Sequence, residues 1–136
     1  MKKKLILVFT LLLVFTAGCS ASAPAADTEK SSQTFRQISQ EEAKEMMAKD
    51  DGHVVVDVRR QDEYDAGHIP GAILIPNESI GCDSPEALPD YDQIILIYCR
   101  TGNRSKQAAQ KLASMGYTNI YEFGGITTWT GDVVTD

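Results

Sequence analysis

Cysteine and histidine are scarce in this 136-residue sequence, which holds three of the former and two of the latter. Three cysteines without a Cys-x-x-Cys pair exclude a disulfide scaffold and argue against a thiol–disulfide oxidoreductase. The two histidines stand far apart and away from the cysteines, so we expect neither a metal nor a cofactor. Acidic residues outnumber basic ones, and the formal net charge of -6 gives no reason to expect a nucleic-acid partner.

Long apolar runs are also missing, which decides how the N-terminus is interpreted. The run over residues 5–17 is shorter than the roughly 20 residues that cross a bilayer core. It follows three lysines and leads through small residues to Cys19. Residues 1–18 therefore resemble a bacterial lipoprotein signal peptide, which implies that Cys19 becomes the lipidated first residue of the mature chain. An ordinary secretory signal, with a secreted or periplasmic product, is the alternative.

Residues 20–33 hold no large apolar side chain and are rich in serine and alanine. Such a segment cannot bury enough surface to order itself, so residues 19–33 are predicted to form a flexible tether. The folded domain would occupy residues 34–136, on the extracytoplasmic face of a bacterial membrane. The composition of the chain, 43% hydrophobic and 24% charged, is typical of a globular protein.

Short β-branched runs alternate with helical patterns along the domain. A capping box at Ser39 and Glu42 opens the first helix, a second runs through residues 60–64, and a third follows Cys99 and ends near Gly116. This alternation predicts an α/β fold, a small parallel sheet of about five strands with helices on both faces. The strands that the pattern locates are residues 53–58, 72–75, 94–98 and 119–123. A short helix is also expected around Trp129.

Cys99 follows the most apolar strand directly, and its neighbours in the next five residues include Arg100, Gly102 and Arg104. Unpaired N–H groups at a helix N-terminus favour negative charge, and glycine lets the loop curl so that several N–H groups point inward. Together with the two guanidinium groups, these features predict a lowered pKa and a thiolate nucleophile at Cys99. They also argue against a thiol buried in an apolar setting.

The loop contains no evident general base. Acyl transfer needs a group that accepts and returns a proton, whereas attack of a thiolate on a sulfane sulfur does not, because the leaving group departs as an anion. The loop therefore favours sulfur transfer, in which Cys99 takes an outer sulfur, becomes a persulfide and passes the sulfur on.

Three motifs in order resemble those of the rhodanese family, the thiosulfate sulfurtransferases. They are Asp57-Val58-Arg59 with Glu63-Tyr64 and residues 67–72, then residues 99–105, then Gly124-Gly125 with Trp129. The resemblance implies a rhodanese-like fold, a persulfide on Cys99 and no cofactor. It also implies a supporting role for Asp57, Arg59 and His68. The substrate-binding residues that it implies are Arg100, Thr101, Gly102, Asn103 and Arg104.

The expected partners are a small anionic sulfur donor such as thiosulfate and a thiol or cyanide acceptor. The lipid anchor on Cys19 would make the membrane a further partner. The sequence does not identify the oligomeric state, and a monomer is the working expectation.

Two other classes of function remain open. A cysteine phosphatase or arsenate reductase also uses a thiolate in an anion-binding loop, but five residues typically separate its cysteine and arginine, and here four lie between Cys99 and Arg104. A non-catalytic rhodanese-like module that binds sulfur or a protein is the second alternative. For Cys82 we considered a loop thiol without a role and, as a hypothesis, a residue that resolves a persulfide or sulfenate on Cys99 by forming a disulfide.

Overall fold

Five parallel strands form a single sheet in the computed structural model, which describes residues 35–135. The strands lie in the order β1-β5-β4-β2-β3, so the two most apolar runs occupy neighbouring central positions. Every pairing between the named strands is parallel. Their bounds are β1 Arg36–Gln37, β2 Val54–Asp57, β3 Ile73–Leu74, β4 Ile94–Cys99 and β5 Asn119–Gly125.

The predicted α/β fold with a parallel sheet is confirmed, and the four located strands are present with ends shifted by one or two residues. Strand β1 was not located from the sequence. Its two residues are both exposed, so no apolar alternation indicates a strand there. It forms because the outer edge of β5 is free to pair with another strand. Arg36 pairs there with Tyr121, and Gln37 with Glu122.

Within residues 35–135, three α-helices and one 3₁₀ turn lie between strands, and a second 3₁₀ turn follows β5. Ser39 caps the first helix as predicted, since its hydroxyl accepts a hydrogen bond from the Glu42 amide at 3.1 Å. Gly116 ends the third helix with φ 109°, a left-handed conformation that favours glycine. The helices are α1 Gln40–Met47, α2 Gln61–Asp65 and α3 Asn103–Met115, and the 3₁₀ turns are Asn77–Ser79 and Ile126–Thr128.

Helices cover both faces of the sheet, as predicted. On one face, α3 packs Ala108 and Leu112 against Ile95 and Ile97 of β4. On the other face, α1 and α2 pack against the remaining side chains of β4, which include Leu96 and Tyr98. Strand β4 is consequently buried on both sides, which accounts for its unbroken apolar sequence.

The N-terminal predictions fall outside the described residues. The signal peptide of residues 1–18, lipidation at Cys19 and the tether of residues 19–33 therefore stay predictions. Between residues 35 and 135, no helix has the length and apolar character needed to cross a bilayer. The same range holds no cluster of three or more side chains suited to binding a metal ion.

Candidate active site

Cys99 is the last residue of β4, and the polypeptide passes through Arg100, Thr101 and Gly102 before α3 begins. Gly102 has φ 105°, and this left-handed turn directs its amide back to the cysteine. The Gly102 N–H donates to Cys99 Sγ at 3.0 Å. The sulfur thus lies between the carboxyl end of a central parallel strand and the N-terminus of a helix. Ligand sites in such sheets usually lie beyond the carboxyl ends of the strands.

The Cys99 side chain is more buried than the sequence indicated. The residue is only 1% exposed and contributes to the apolar cluster beneath α3. Around Sγ itself the setting is polar, because the Gly102 amide and the Ser105 hydroxyl both lie within hydrogen-bond distance. The sequence predicted that the thiol is not buried in an apolar setting; the residue is buried at the edge of an apolar cluster, but the sulfur itself has polar neighbours.

Ser105, in the first turn of α3, ends the motif of residues 99–105, and the sequence indicated no particular role for it. Its hydroxyl lies 3.4 Å from Cys99 Sγ, 2.9 Å from the Gly102 carbonyl and 2.6 Å from Glu122 Oε1. Ser105 is fully buried, so these contacts are shielded from water. A serine in the first turn of a helix is commonly a local capping group, so its presence in the motif does not by itself indicate this role.

The pKa of the Cys99 thiol lies below its ordinary value. Burial acts in the opposite direction and raises it, but hydrogen bonds from the Ser105 side chain and from the backbone of Ser105, Gly102 and Thr101 outweigh that effect. The direction agrees with the sequence-based expectation. The leading contributions come from amides and a hydroxyl rather than from the guanidinium groups of Arg100 and Arg104.

Glu122 is a second residue that the sequence analysis missed. It lies on β5, facing α3, and is 3% exposed. A bulge places it there: Ile97 pairs with Glu122 and Cys99 with Gly125, so β5 contains one residue more than β4 over this stretch. The extra length lets the Gly124 amide turn back and donate to Glu122 Oε1 at 2.9 Å.

Arg104 forms an ion pair that the sequence did not reveal. Its Nη1 and Nη2 atoms donate to the two carboxylate oxygens of Glu63 at 2.7 and 2.8 Å, which joins the first turn of α3 to α2. Hydrogen bonds from Arg104 lower the pKa of Glu63 to about 2 despite the opposing effect of partial burial. Much of the positive charge expected of Arg104 is thus balanced by a neighbouring carboxylate.

The remaining predicted binding residues line the outside of the loop. Arg100, Thr101 and Asn103 are exposed, whereas Gly102 is buried. The Arg100 carbonyl accepts hydrogen bonds from the Thr127 amide at 3.2 Å and from its hydroxyl at 3.0 Å. These contacts fix the loop against the 3₁₀ turn that follows β5, and the sequence analysis did not anticipate them.

Gly125 permits this contact between the loop and β5. A Cβ atom at Gly125 would stand 2.2 Å from the Arg100 carbonyl oxygen, a distance that no side chain could tolerate. The second glycine of the Gly124-Gly125 motif is therefore required by the close approach of the Cys99 loop.

Asp57, Arg59 and His68 support a neighbouring turn rather than the Cys99 loop directly. Arg59 Nη2 donates to Asp57 Oδ2 at 2.6 Å and to the Gly67 carbonyl at 2.7 Å, and the Asp57 side chain is fully buried. The His68 ring stacks on Tyr64 with 3.7 Å between the ring centroids. The His68 amide donates to the Val134 carbonyl, so this turn also holds the C-terminal segment.

The link from this turn to the active site passes through Tyr98, which precedes Cys99. Tyr98 Oη accepts a hydrogen bond from the Ile69 amide at 3.0 Å, and the Arg59 guanidinium lies over the Tyr98 ring. Arg59 and the turn that contains Ile69 therefore contact the strand that holds the cysteine.

Cys82 is an exposed free thiol that lines a shallow surface pocket with Gln110, Lys111, Ser114 and Met115. These residues form the C-terminal half of α3, whereas Cys99 lies at the N-terminal end of that helix. A disulfide needs Cα atoms within about 7 Å, so this arrangement does not favour a disulfide between Cys82 and Cys99, which the hypothesis of a resolving cysteine requires.

The fold and site define a class: an α/β protein with a thiol held in an amide-lined loop beyond a parallel strand. The chain belongs to the rhodanese family, since the model of the rhodanese-like domain matches residues 39–132. This finding confirms the resemblance drawn from the three sequence motifs. The family and its relatives make the chain an enzyme of the sulfurtransferase class.

Two curated relatives illustrate the similarity. A thiosulfate sulfurtransferase GlpE from Pseudomonas entomophila is 40% identical over 96 residues, which cover 70% of this chain and 84% of the relative. The thiosulfate sulfurtransferase PspE from Escherichia coli is 37% identical over 71 residues, which cover 52% of this chain and 68% of that protein.

Solved structures show the same fold. A rhodanese with anions from E. coli is 32% identical with a TM-score of 0.57, and the match covers 62% of this chain and 99% of that one. A rhodanese-like domain protein from Staphylococcus aureus is 29% identical with a TM-score of 0.63, over 75% of this chain and 99% of that one.

Proposed function

We propose that this protein transfers a sulfane sulfur from an anionic donor such as thiosulfate to a thiol or cyanide acceptor, through a persulfide on Cys99. The observation that carries the proposal is the pair of groups at Cys99 Sγ: the Gly102 amide donates to the sulfur at 3.0 Å, and the Ser105 hydroxyl, 3.4 Å away, can donate to it when the thiol is ionised. These donors stabilise negative charge on sulfur without a metal or a cofactor.

The proposed reaction has two steps. The Cys99 thiolate attacks the outer sulfur of thiosulfate, a new S–S bond forms, and the S–S bond of the donor breaks with its electron pair leaving on sulfite. The acceptor, cyanide for example, then attacks the outer sulfur of the persulfide, which yields thiocyanate and returns the electron pair to Cys99. No proton has to move in either step when the thiol is already ionised.

The charges at the mouth of the loop support an anionic donor. Arg100 is exposed beside Cys99 and would contact the donor directly. Arg104 is bonded to Glu63, so its role would be to hold the loop and to contribute only part of its charge to the donor. The two arginines would therefore have different roles, whereas the sequence predicted the same donor-binding role for both.

The proposed activity is tested by the thiosulfate:cyanide sulfurtransferase assay on the chain lacking residues 1–19. We expect thiocyanate formation by the wild type and none above background for Cys99→Ser, because a hydroxyl cannot form a persulfide. The mass of one additional sulfur atom on the Cys99 peptide after thiosulfate treatment would identify the intermediate.

The same assay separates the two alternatives. A better rate with p-nitrophenyl phosphate than with thiosulfate would favour a cysteine phosphatase, and equal activities of wild type and Cys99→Ser would favour a non-catalytic module. Either result would contradict the proposed function.

We further propose that the enzyme works outside the cytoplasmic membrane of a bacterium, anchored by lipid on Cys19. The support is the sequence of residues 1–18, which resembles a lipoprotein signal peptide, followed by the small and polar residues 20–33. A tether of this kind would let the domain reach donors and acceptors near the membrane surface.

A further inference from the structure

Glu122 is a buried carboxylate that the sulfur-transfer steps above do not use. It lies on the face of β5 that α3 covers, and only 3% of the residue is exposed. Its Oε1 atom contacts the Ser105 hydroxyl at 2.6 Å and the Gly124 amide at 2.9 Å. A carboxylate in such a position is costly to bury, so its location directly behind the reactive sulfur requires an explanation.

The carboxylate and the sulfur are joined by one hydroxyl group. Cys99 Sγ and Glu122 Oε1 are no more than 6.0 Å apart, because Ser105 Oγ lies 3.4 Å from the former and 2.6 Å from the latter. The hydroxyl has a single hydrogen. When Sγ is ionised, two anions therefore compete for that hydrogen and repel each other in a site shielded from water.

Building on the proposed function, we propose that Glu122 is a positioning residue that disfavours negative charge on Sγ and thereby favours the persulfide over the thiolate. In the persulfide the charge resides mainly on the outer sulfur, about 2 Å from Sγ. We place the outer sulfur on the side of Sγ away from Ser105 Oγ, which lies 3.4 Å from Sγ and contacts Glu122. Transfer of sulfur to Cys99 thus moves the charge away from Glu122.

This arrangement affects both steps of the reaction. A thiolate whose charge is less stabilised is a stronger nucleophile toward the donor and a poorer leaving group when the acceptor attacks. Glu122 would therefore speed the loading of Cys99 and slow its discharge, which keeps the persulfide populated until an acceptor arrives.

Other charged groups act on the same sulfur and must be held constant. Arg104 on α3 is charged and paired with Glu63 of α2, and Glu78 in the first 3₁₀ turn also acts on Arg104. On the β1 side, the neighbour of Glu122 is the uncharged Gln37 amide, 3.5 Å from Oε2. The substitution Glu122→Gln leaves all of these groups in place, so its effect reports on the carboxylate charge.

The test is the pH dependence of Cys99 alkylation by iodoacetamide, followed by mass spectrometry of the peptide that contains Cys99. In Glu122→Gln we expect the apparent pKa of Cys99 to fall by roughly one unit, because a like charge is removed and the Ser105 hydrogen is released to the sulfur. If Glu122 had a purely structural role, the substitution would raise the pKa of Cys99, because a disturbed loop would lose amide hydrogen bonds to the sulfur. An unchanged or raised pKa overturns the proposal.

Loading by thiosulfate provides the second readout. At a pH where Cys99 is fully ionised, the loading rate of Glu122→Gln should be about threefold lower than that of the wild type, and discharge to cyanide should be faster. Alkylation does not require sulfur transfer. A failure of the proposed function would therefore leave the alkylation result intact, and the two proposals fail separately.

The exposed residue Glu86 provides the matched control. It lies two residues from Leu88, whose carbonyl accepts a hydrogen bond from Tyr117 beyond the C-terminal end of α3, so Glu86→Gln should leave the Cys99 profile unchanged. If Glu122→Gln does not fold, the wild-type chain with ¹³C-labelled glutamate carboxyls replaces it. The Glu122 resonance should then shift at the pH where Cys99 ionises, and Cys99→Ala should abolish that shift. If the Glu122 resonance does not shift when Cys99 ionises, the proposal is wrong.

Discussion

The ion pair between Glu63 and Arg104 shows how one residue can serve both the site and its stability. Glu63 receives two hydrogen bonds from Arg104 and a third, at 3.2 Å, from the Arg60 amide. Its side chain is 17% exposed and that of Arg104 is 25% exposed, so water weakens the pair only in part. The pair therefore connects the active-site loop to α2 through partly buried charges.

We predict that this connection is lost in acid. Because Arg104 lowers the pKa of Glu63 to about 2, the stabilisation is complete above the ordinary glutamate value and disappears as the pH falls from about 4.5 to 2. Urea unfolding of wild type and Glu63→Gln should differ by about 1–2 kcal/mol at pH 7. The difference should shrink below pH 4.5, and a difference that is constant down to pH 2.5 would contradict the assignment.

Arg59 carries a larger part of the stability because its partner is more deeply buried. Removing it would leave Asp57, which is 0% exposed, as a buried charge without its guanidinium. We expect Arg59→Met to lower the free energy of unfolding by about 3–5 kcal/mol in urea titrations. The neighbouring Arg60 is the control: its side chain is exposed, so Arg60→Met should cost less than about 1 kcal/mol. Similar losses in both variants would count against the buried pair.

At the scale of secondary-structure elements, the site depends on how the Cys99 loop rests on the end of β5. The bulge opposite Cys99 and the 3₁₀ turn after Gly125 shape a surface that accepts the Arg100 carbonyl. The loop has few residues of its own to determine its path, so the neighbouring strand fixes it.

Gly125→Ala is predicted to displace the loop, since the new Cβ atom would meet the Arg100 carbonyl oxygen at 2.2 Å. A shift of about 1 Å at a reacting group costs up to a hundredfold in rate, so we expect kcat/KM for thiosulfate to fall by one to two orders of magnitude. Circular dichroism would verify that the fold persists. Gly81 has no atom within 4 Å of its notional Cβ, and Gly81→Ala should leave the rate unchanged. Wild-type activity in Gly125→Ala would refute this account of the loop.

At the scale of the whole molecule, the catalytic domain and the predicted anchor are separate features of the chain. The family match covers residues 39–132, which lie entirely after the proposed signal and tether. We therefore expect the chemistry proposed for Cys99 to need no contribution from the first 33 residues, whose role would be to determine location.

We predict that the full chain, expressed in a bacterium, fractionates with the membrane and incorporates labelled palmitate. Cys19→Ala should abolish the label and release the protein from the membrane, because one residue would carry all of the acyl chains. Cys82→Ala is the matched control and should retain both. Labelling that is independent of Cys19 would exclude the anchor.

The sequence by itself determined the class of fold and the reactive residue. Apolar β-branched runs separated by capped helices favour only a parallel sheet with covered faces, and the position of Cys99 at the end of such a strand follows from chain order alone. These features are local or periodic, so they can be interpreted without coordinates.

The tertiary structure decided how the sulfur is surrounded. Glu63 reaches the Cys99 loop through its ion pair with Arg104, and Glu122 reaches Ser105 beside the bulge of β5; both carboxylates lie far from the loop along the sequence. Burial of the thiol had the same origin, since it depends on where the loop folds back. Long-range packing thus set the electrostatics of a site whose nucleophile was visible in the sequence, because charge interactions depend on distances in space rather than along the chain.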